Sequence, residues 1–188
     1  MEDISRDRDY CLSILKEYTQ SDSLLKHAYA VETCVSAYAR KFNEDVEYWG
    51  NVALLHDFDY EKFPTAEEHP FKGTEILKEK GFSRDFTDSI LSHADYSGVA
   101  RDSLLRKTLF ACDELAGFIT AVTYVRPSKT VDEVEVKSVK KKLKDKAFAR
   151  NVSREDIQHG ADDLGIPLDE HIDFCIKAMR DNKEVLGL

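Results

Sequence analysis

The sequence predicts an all-α protein, and three observations support this fold class. The 188 residues include only 8 glycines and 4 prolines, together about 6% of the chain, against a usual share of about 12%. Apolar residues recur at steps of three and four along most of the chain, which is the spacing of one helix face. No segment alternates like a strand for long, and residues 131–136 come nearest. The length suits one domain with a sizeable core.

The first five helices are predicted near residues 6–19, 22–42, 44–57, 70–80 and 83–93. Each of the first three carries an apolar stripe at helical spacing, and Ser21 or Asp22 offers an N-cap for the second. Pro70 suits the first position of the fourth helix, because its missing N–H is not needed there. Gly81 ends that helix and Ser83 caps the fifth.

The last four helices are predicted near residues 102–125, 134–150, 153–165 and 168–182. A loop over residues 58–68 precedes the fourth helix, and a loop around Gly98 precedes the helix over 102–125. Pro127 closes the helix over 102–125, which is the longest one predicted. Gly165 and Pro167 separate the last two helices. We therefore expect a single domain over residues 1–188, with residues 126–188 as a C-terminal helical extension.

Charge and cysteine content exclude several classes of protein. The net charge of −9 disfavours binding to a nucleic-acid polymer, which requires a basic surface. The charged N-terminus lacks the apolar stretch of a signal peptide, and no run is long enough to span a membrane. Four scattered cysteines predict reduced core thiols in a cytoplasmic protein. Residues 126–150 hold nine basic and four acidic side chains, either as a solvated helix face or as a rim that attracts phosphate.

Three histidines lie on apolar helix faces, where a metal site is one interpretation. These are His27, His56 and His93. One such histidine is usually a hydrogen-bonded core residue, but three of them, with Asp57 beside His56, favour a shared function. Imidazole and carboxylate ligands suit first-row metals such as Zn, Fe, Mn and Ni.

An acidic pair in the long helix offers a further ligand. Asp113 has apolar neighbours at three and four residues in both directions, so its carboxylate must be paired or bind a metal. Glu114 is the competing candidate, since periodicity does not separate the two. The other histidines, His159 and His171, are flanked by acidic residues and are predicted to be structural.

The order of these residues resembles the HD-domain superfamily of metal-dependent phosphohydrolases over residues 20–125. The segments that carry the resemblance are His27, Leu54-Leu55-His56-Asp57, Glu68-His69-Pro70, Leu91-Ser92-His93 and Phe110-Ala111-Cys112-Asp113. The resemblance implies a metal-binding core with two divalent ions (Fe, Mn, Zn, Ni or Mg). It places His27, His56, Asp57 and Asp113 around the first metal. His69 and His93 would hold the second, with Asp57 bridging the two.

The resemblance implies a phosphohydrolase that cleaves a small phosphoester, such as a nucleotide, through a metal-activated hydroxide, with Asp57 at its centre. Tyr60 stands where many relatives have lysine, so Lys62 would have to substitute for it from another position. Asp95 or Asp59 is a candidate proton carrier. The expected partner is a phosphorylated small molecule, with no membrane and with a homo-oligomer left open.

The remaining expectations concern the residues that bind the substrate phosphate and two alternative functions. Arg126 and Lys129 are candidates for binding the substrate phosphate. The absence of a Gly-Tyr-Pro signature after His93 counts against a cyclic di-GMP phosphodiesterase. The alternatives are a di-iron oxygenase with the same ligand set and a non-enzymatic, metal-stabilised regulatory domain.

Overall fold

The computed structural model describes residues 4–188, which form ten α-helices and three short 3₁₀ helices. Residues 1–3, with which the charged N-terminus and the predicted domain begin, lie outside the described residues. Within residues 4–188 no β-strand occurs, so the predicted all-α class is confirmed. The α-helices in chain order are α1 Arg8–Tyr18, α2 Asp22–Phe42, α3 Val46–Leu54, α4 Phe71–Glu79, α5 Arg84–Leu91, α6 Leu104–Tyr124, α7 Val136–Leu143, α8 Arg154–Asp163, α9 Leu168–Asp181 and α10 Lys183–Leu186.

Side-chain caps fix where five of these helices begin. In each case a side-chain oxygen accepts a hydrogen bond from the backbone N–H three residues later, which satisfies one of the donors left free in a first turn. The five caps are Asp7, Asp45, Ser83, Ser103 and Ser153. The predicted cap at Ser83 is among them. Pro70 lies one position before α4 rather than at its first residue.

The largest departure from the predicted helices is α7. The sequence predicts a helix over residues 134–150, whereas the observed helix stops at Leu143 and residues 144–153 form turns. The guanidinium of Arg154 donates hydrogen bonds to the carbonyls of Ala149 and Val152, both at 2.6 Å, and also to the Phe148 carbonyl. These carbonyls are thereby satisfied without a helix. Residues 131–136, the nearest case of a strand pattern, begin instead with the 3₁₀ helix Val131–Glu133.

The core is one cluster of buried apolar residues that extends along the chain from Cys11 to Leu186. Helix α2 packs against both α3 and α6, and α8 packs on α6. The approach of α8 is close: a Cβ added to Gly160 would lie 2.5 Å from the Ala111 Cα atom. Only glycine allows this contact, so the C-terminal helices are held tightly against α6.

The cysteines and the two histidines that were predicted to be structural lie outside the metal centre, although His171 is more deeply buried than its acidic flanking residues indicate. All four cysteines are buried and unpaired. His159 is exposed on α8, whereas His171 is fully buried on α9. The Tyr38 hydroxyl donates to His171 Nδ1 at 2.7 Å, and His171 Nε2–H donates to the Ala111 carbonyl at 2.9 Å. His171 therefore links α2, α6 and α9.

Among residues 4–188, none of the helices has the length and apolar character needed to cross a membrane.

Candidate metal centre

Six side chains from five parts of the chain meet beside α2 and α6. They are His27 in α2, His56 and Asp57 after α3, His69 before α4, His93 after α5 and Asp113 in α6. Four of them lie next to helix ends rather than inside helices. The resemblance named these same six residues, and the structure brings all of them together.

The first group consists of His27, His56 and Asp113, whose ligand atoms lie within 4.8 Å of one another. Asp113 Oδ1 is 3.0 Å from His27 Nε2 and 3.3 Å from His56 Nε2. The long helix α6 supplies the carboxylate, and α2 supplies His27 from the facing helix. Two imidazoles and one carboxylate therefore converge on one small volume.

The second group consists of Asp57, His69 and His93, again within 4.8 Å. Asp57 Oδ1 lies 3.2 Å from His69 Nε2 and 3.3 Å from His93 Nε2. Its other oxygen, Oδ2, faces the first group, at 3.5 Å from His56 Nε2 and 3.7 Å from His27 Nε2. One carboxylate thus presents one oxygen to each group.

Each of three histidines is oriented by an acceptor behind its ring. The Nδ1–H groups of His56 and His93 donate to the carbonyls of Ala53 and Ile90, at 2.7 and 2.6 Å. His69 Nδ1–H donates to Asp59 Oδ1 at 2.8 Å. Because Nδ1 carries the hydrogen, the Nε2 lone pair of each neutral ring points to the centre, as in metal-ligating histidines.

Burial and charge shift the pKa values of the centre in opposite directions. Burial alone would lower the pKa of His56, but Asp57 and Asp113 outweigh it and raise that pKa to about 10. Against the same burial effect, hydrogen bonds to Asp57 and Asp59 raise the pKa of His69 to about 9. Burial would raise the pKa of the Asp57 carboxyl, yet the surrounding histidines hold it well below its usual range. The centre therefore favours positive charge among its carboxylates.

The arrangement fits a divalent metal. His56 is fully buried, and its Nε2 atom has no hydrogen-bond partner in the described chain. Nε2 faces the carboxylates of Asp57 and Asp113 at 3.5 and 3.3 Å, and these, against the effect of burial, raise the pKa of His56, so the geometry favours a positive charge at this point, either a proton or a metal ion. Nitrogen and carboxylate oxygen donors in this number are the set that first-row divalent metals take.

Asp59 lies behind the centre rather than in front of it. It is fully buried, and its two oxygens accept from His69 Nδ1 and from the backbone N–H of Gly73, both at 2.8 Å. Asp59 does not line the cavity, so the structure gives it no direct contact with a ligand bound there. Its role is to position His69.

Asp113 and Glu114, which periodicity left undecided, face different partners. Asp113 contacts the histidines, whereas Glu114 Oε2 accepts a hydrogen bond from the backbone N–H of Ser153 at 3.2 Å. Burial first, and then repulsion from Asp113, raises the pKa of Glu114 to about 7. Glu114 thereby ties the start of α8 to the helix that carries Asp113.

A cavity of about 490 Å³ opens over the centre, a size typical of small-molecule sites. Its wall includes three aromatic side chains, Tyr60, Tyr96 and Phe110, together with Asp95. The lining also includes Val152 and Asp156, which follow α7 in the chain, and Glu114 from α6. No local sequence pattern singles out this part of the wall, because α8 reaches the cavity only through its packing on α6.

Three predicted site residues lie away from this cavity. Lys62 Nζ donates to the Glu17 carbonyl at 3.1 Å and lies over the Tyr18 ring. Arg126 follows the end of α6, about 16–20 Å along the helix axis from Asp113, and donates to the Ser138 hydroxyl. Lys129 lies farther along the same turn. The structure therefore brings neither Lys62, Arg126 nor Lys129 to the cavity lining.

Comparison with known families agrees with this geometry. The family model described as HD domain matches residues 24–117, which is 94 of the 188 residues, or half of the chain. The matched range contains all six residues of the centre and ends before α7. No solved structure matches the chain.

Proposed function

The chain belongs to the HD-domain family of the metal-dependent hydrolase superfamily, and on this premise we propose that it is a phosphohydrolase. It would bind two divalent metals through His27, His56, Asp57, His69, His93 and Asp113 and hydrolyse a small phosphoester. The observation that carries the proposal is Asp57, whose two oxygens face two separate histidine groups. Two sites joined in this way suit the clamping of a phosphoryl group.

The residues of the chain would have distinct tasks in this reaction. Bound divalent metals would polarise the phosphoryl oxygens and lower the pKa of a coordinated water towards about 7. Asp57 fixes the spacing of the two groups, and Asp59 holds the ring of His69 in the orientation that the second group requires. Asp95 lines the cavity and pairs with Arg101 through Oδ1. Its Oδ2 is then the atom that would accept a proton.

Elemental analysis joined to a panel of phosphoesters tests the proposal. We expect about two divalent metals per chain, and hydrolysis that chelation removes and added metal restores. Asp57→Asn keeps the shape of the side chain and should lower turnover at least about 100-fold, because even the orienting partners of ligands cost 10–100-fold. Asp9→Asn, an exposed aspartate on α1, is the matched control and should retain activity.

Two results would contradict the proposal. Metal-loaded protein that hydrolyses none of the phosphoesters is not a phosphohydrolase, and an iron-specific consumption of oxygen would then favour the oxygenase. Full activity in Asp57→Asn would show that the reaction does not occur at the two histidine groups.

A further inference from the structure

The cavity over the centre is lined by carboxylates and, among the described residues, by no lysine or arginine. Five carboxyl groups belong to the lining: Asp57, Asp95, Asp113, Glu114 and Asp156. Counted as ionised they contribute −5, or −4 with Glu114 protonated, and two divalent metals add +4, which leaves −1 or 0. Arg101, which pairs with Asp95 from outside the lining, offsets one charge. The loaded cavity is therefore close to neutral before any substrate enters.

This charge count restricts the substrate. The centre can attract one phosphate through the metals, but no side-chain cation of the lining is available for a second phosphate. Any further anionic group would lie against Glu114 and Asp156 and be repelled by them. A substrate with a positive charge away from its phosphate would be attracted to the same carboxylates.

Asp156 is the carboxylate best placed to meet such a charge. It lies in the first turn of α8, where the Ser153 cap and the hydrogen bond from Ser153 N to Glu114 hold the helix against α6. Within residues 4–188 its carboxylate makes no hydrogen bond or ion pair. By contrast, Asp95 is paired with Arg101, and the carboxylates of Asp57 and Asp113 face the histidines.

The aromatic wall suits the same kind of group. Tyr60, Tyr96 and Phe110 give the cavity apolar surface that an alkyl chain can cover, and ring faces attract cations. A guanidinium already lies over one of them, since the Arg101 Cζ atom is 3.7 Å from the Phe110 ring centroid. An independent indication that this cavity receives a ligand comes from His56, which lies behind the lining. Its buried Nε2 has no hydrogen-bond partner in the described chain and faces two carboxylates of the lining, Asp57 and Asp113.

We propose that Asp156, with Glu114 beside it, forms a subsite for a protonated amine, so that the substrate is a small phosphomonoester whose alcohol carries that amine. The phosphate would bind at the centre and the ammonium at the wall supplied by α6 and α8. Nucleoside di- and triphosphates would be poor substrates. The inference deepens the proposed function and rests on it, because it takes the phosphate to bind at the metals.

Binding of three phosphonates tests the subsite without requiring turnover. The probes are 3-aminopropylphosphonate, butylphosphonate and 3-carboxypropylphosphonate, which differ in the charge at the end of a similar chain. Calorimetry on metal-loaded protein at pH 8 should give the tightest binding for the amine and the weakest for the carboxylate. We expect the amine to bind at least about tenfold more tightly than the uncharged probe.

Asp156→Asn should remove most of this preference while the uncharged probe binds as before. Glu155→Gln is the matched control, since Glu155 is an exposed neighbour in the same turn of α8 and does not line the cavity. Both changes remove one negative charge from the same turn, so a general electrostatic effect would appear in both variants.

The outcomes separate this inference from the proposed function. Equal or tighter binding of the uncharged or carboxylate probe would refute the amine subsite alone. The subsite is likewise refuted if Asp156→Asn keeps the preference, or if Glu155→Gln loses it equally. Failure of all three phosphonates to bind the metal-loaded protein would refute both the subsite and the phosphohydrolase assignment.

Discussion

Replacement of Gly73 by alanine should disturb the second ligand group without changing any ligand. Gly73 lies in α4, and its backbone N–H donates to Asp59 Oδ2 at 2.8 Å. A Cβ atom at this position would lie 2.6 Å from Asp59 Cγ, 2.7 Å from Oδ2 and 2.9 Å from Phe58 Cε1. Ordinary contacts of this kind begin at 3.4 Å, so the Asp59 carboxylate must move by about 1 Å.

The size of the effect follows from what Asp59 holds in place. Insertion of a methyl group into a packed site costs about 1–3 kcal/mol. Loss of one hydrogen bond to a buried carboxylate adds about 1.5–3 kcal/mol. Alanine in a helix gains about 1 kcal/mol over glycine. The net expectation is a loss of about 1.5–5 kcal/mol in the free energy of unfolding for Gly73→Ala.

Metal binding should weaken together with stability. Because Asp59 orients His69, Gly73→Ala should lower the affinity of the second metal about 10–100-fold, the usual effect of losing a ligand's orienting partner. Competition with a chromophoric chelator measures this affinity, and denaturant unfolding of the metal-free protein measures the stability separately.

Gly117→Ala provides a matched control on α6. A Cβ at Gly117 would also approach a histidine of the centre, but at 3.5 Å from His27 Nδ1, which is an ordinary contact. This variant should bind metal normally and be as stable as the native protein or more so. The reasoning fails if Gly73→Ala retains native stability and metal affinity, or if Gly117→Ala loses as much of both.

Three further predictions concern the ligands and the bound metals. Asp113→Asn should weaken the first metal, whereas Glu114→Gln should change metal content less; the reverse ranking in elemental analysis would shift the site by one residue. His69→Ala should reduce the metal content from two ions per chain to one and leave the first metal in place, while His27→Ala should lower the affinity for the first metal. A native content of one metal per chain, unchanged in His69→Ala, would contradict the dinuclear centre. Removal of metal by chelation should lower the melting temperature, because ligation stabilises only the folded state. A melting temperature that chelation leaves unchanged would contradict this prediction.

Local signals in the sequence predicted the helices well where a cap and an apolar stripe coincide. Ser83 caps α5 as predicted. The helix over 22–42 begins and ends as predicted, although the side chain of Ser21 makes no cap hydrogen bond. The prediction was wrong for residues 144–150, where the basic sequence is compatible with a helix. The side chain of Arg154, several residues later, satisfies the carbonyls of this segment instead. Hydrogen bonds from a side chain to backbone carbonyls leave no trace in the spacing of apolar residues.

The residues of the site were also predicted with mixed success. The resemblance to the HD-domain superfamily indicated which six His and Asp residues lie together, whereas the residue spacing alone left Asp113 and Glu114 undecided. The phosphate-binding residues were chosen by charge alone, and Lys62 and Arg126 lie elsewhere. Charge in a sequence does not say which way a side chain faces, so only the folded chain shows that the described cavity lining lacks a cation.

The proposed amine subsite would give the C-terminal helices a part in substrate specificity. The family match ends at residue 117, yet the cavity is completed by Asp156 on α8. That helix reaches the cavity because Gly160 allows it to touch α6 and because Glu114, next to a predicted ligand, accepts from Ser153 N. A change in α8 would therefore alter the leaving-group side of the cavity while the six residues of the centre stay where they are. In the proposed amine subsite, Asp156 from the unmatched part of the chain would therefore select the substrate together with Glu114, which lies within the matched range.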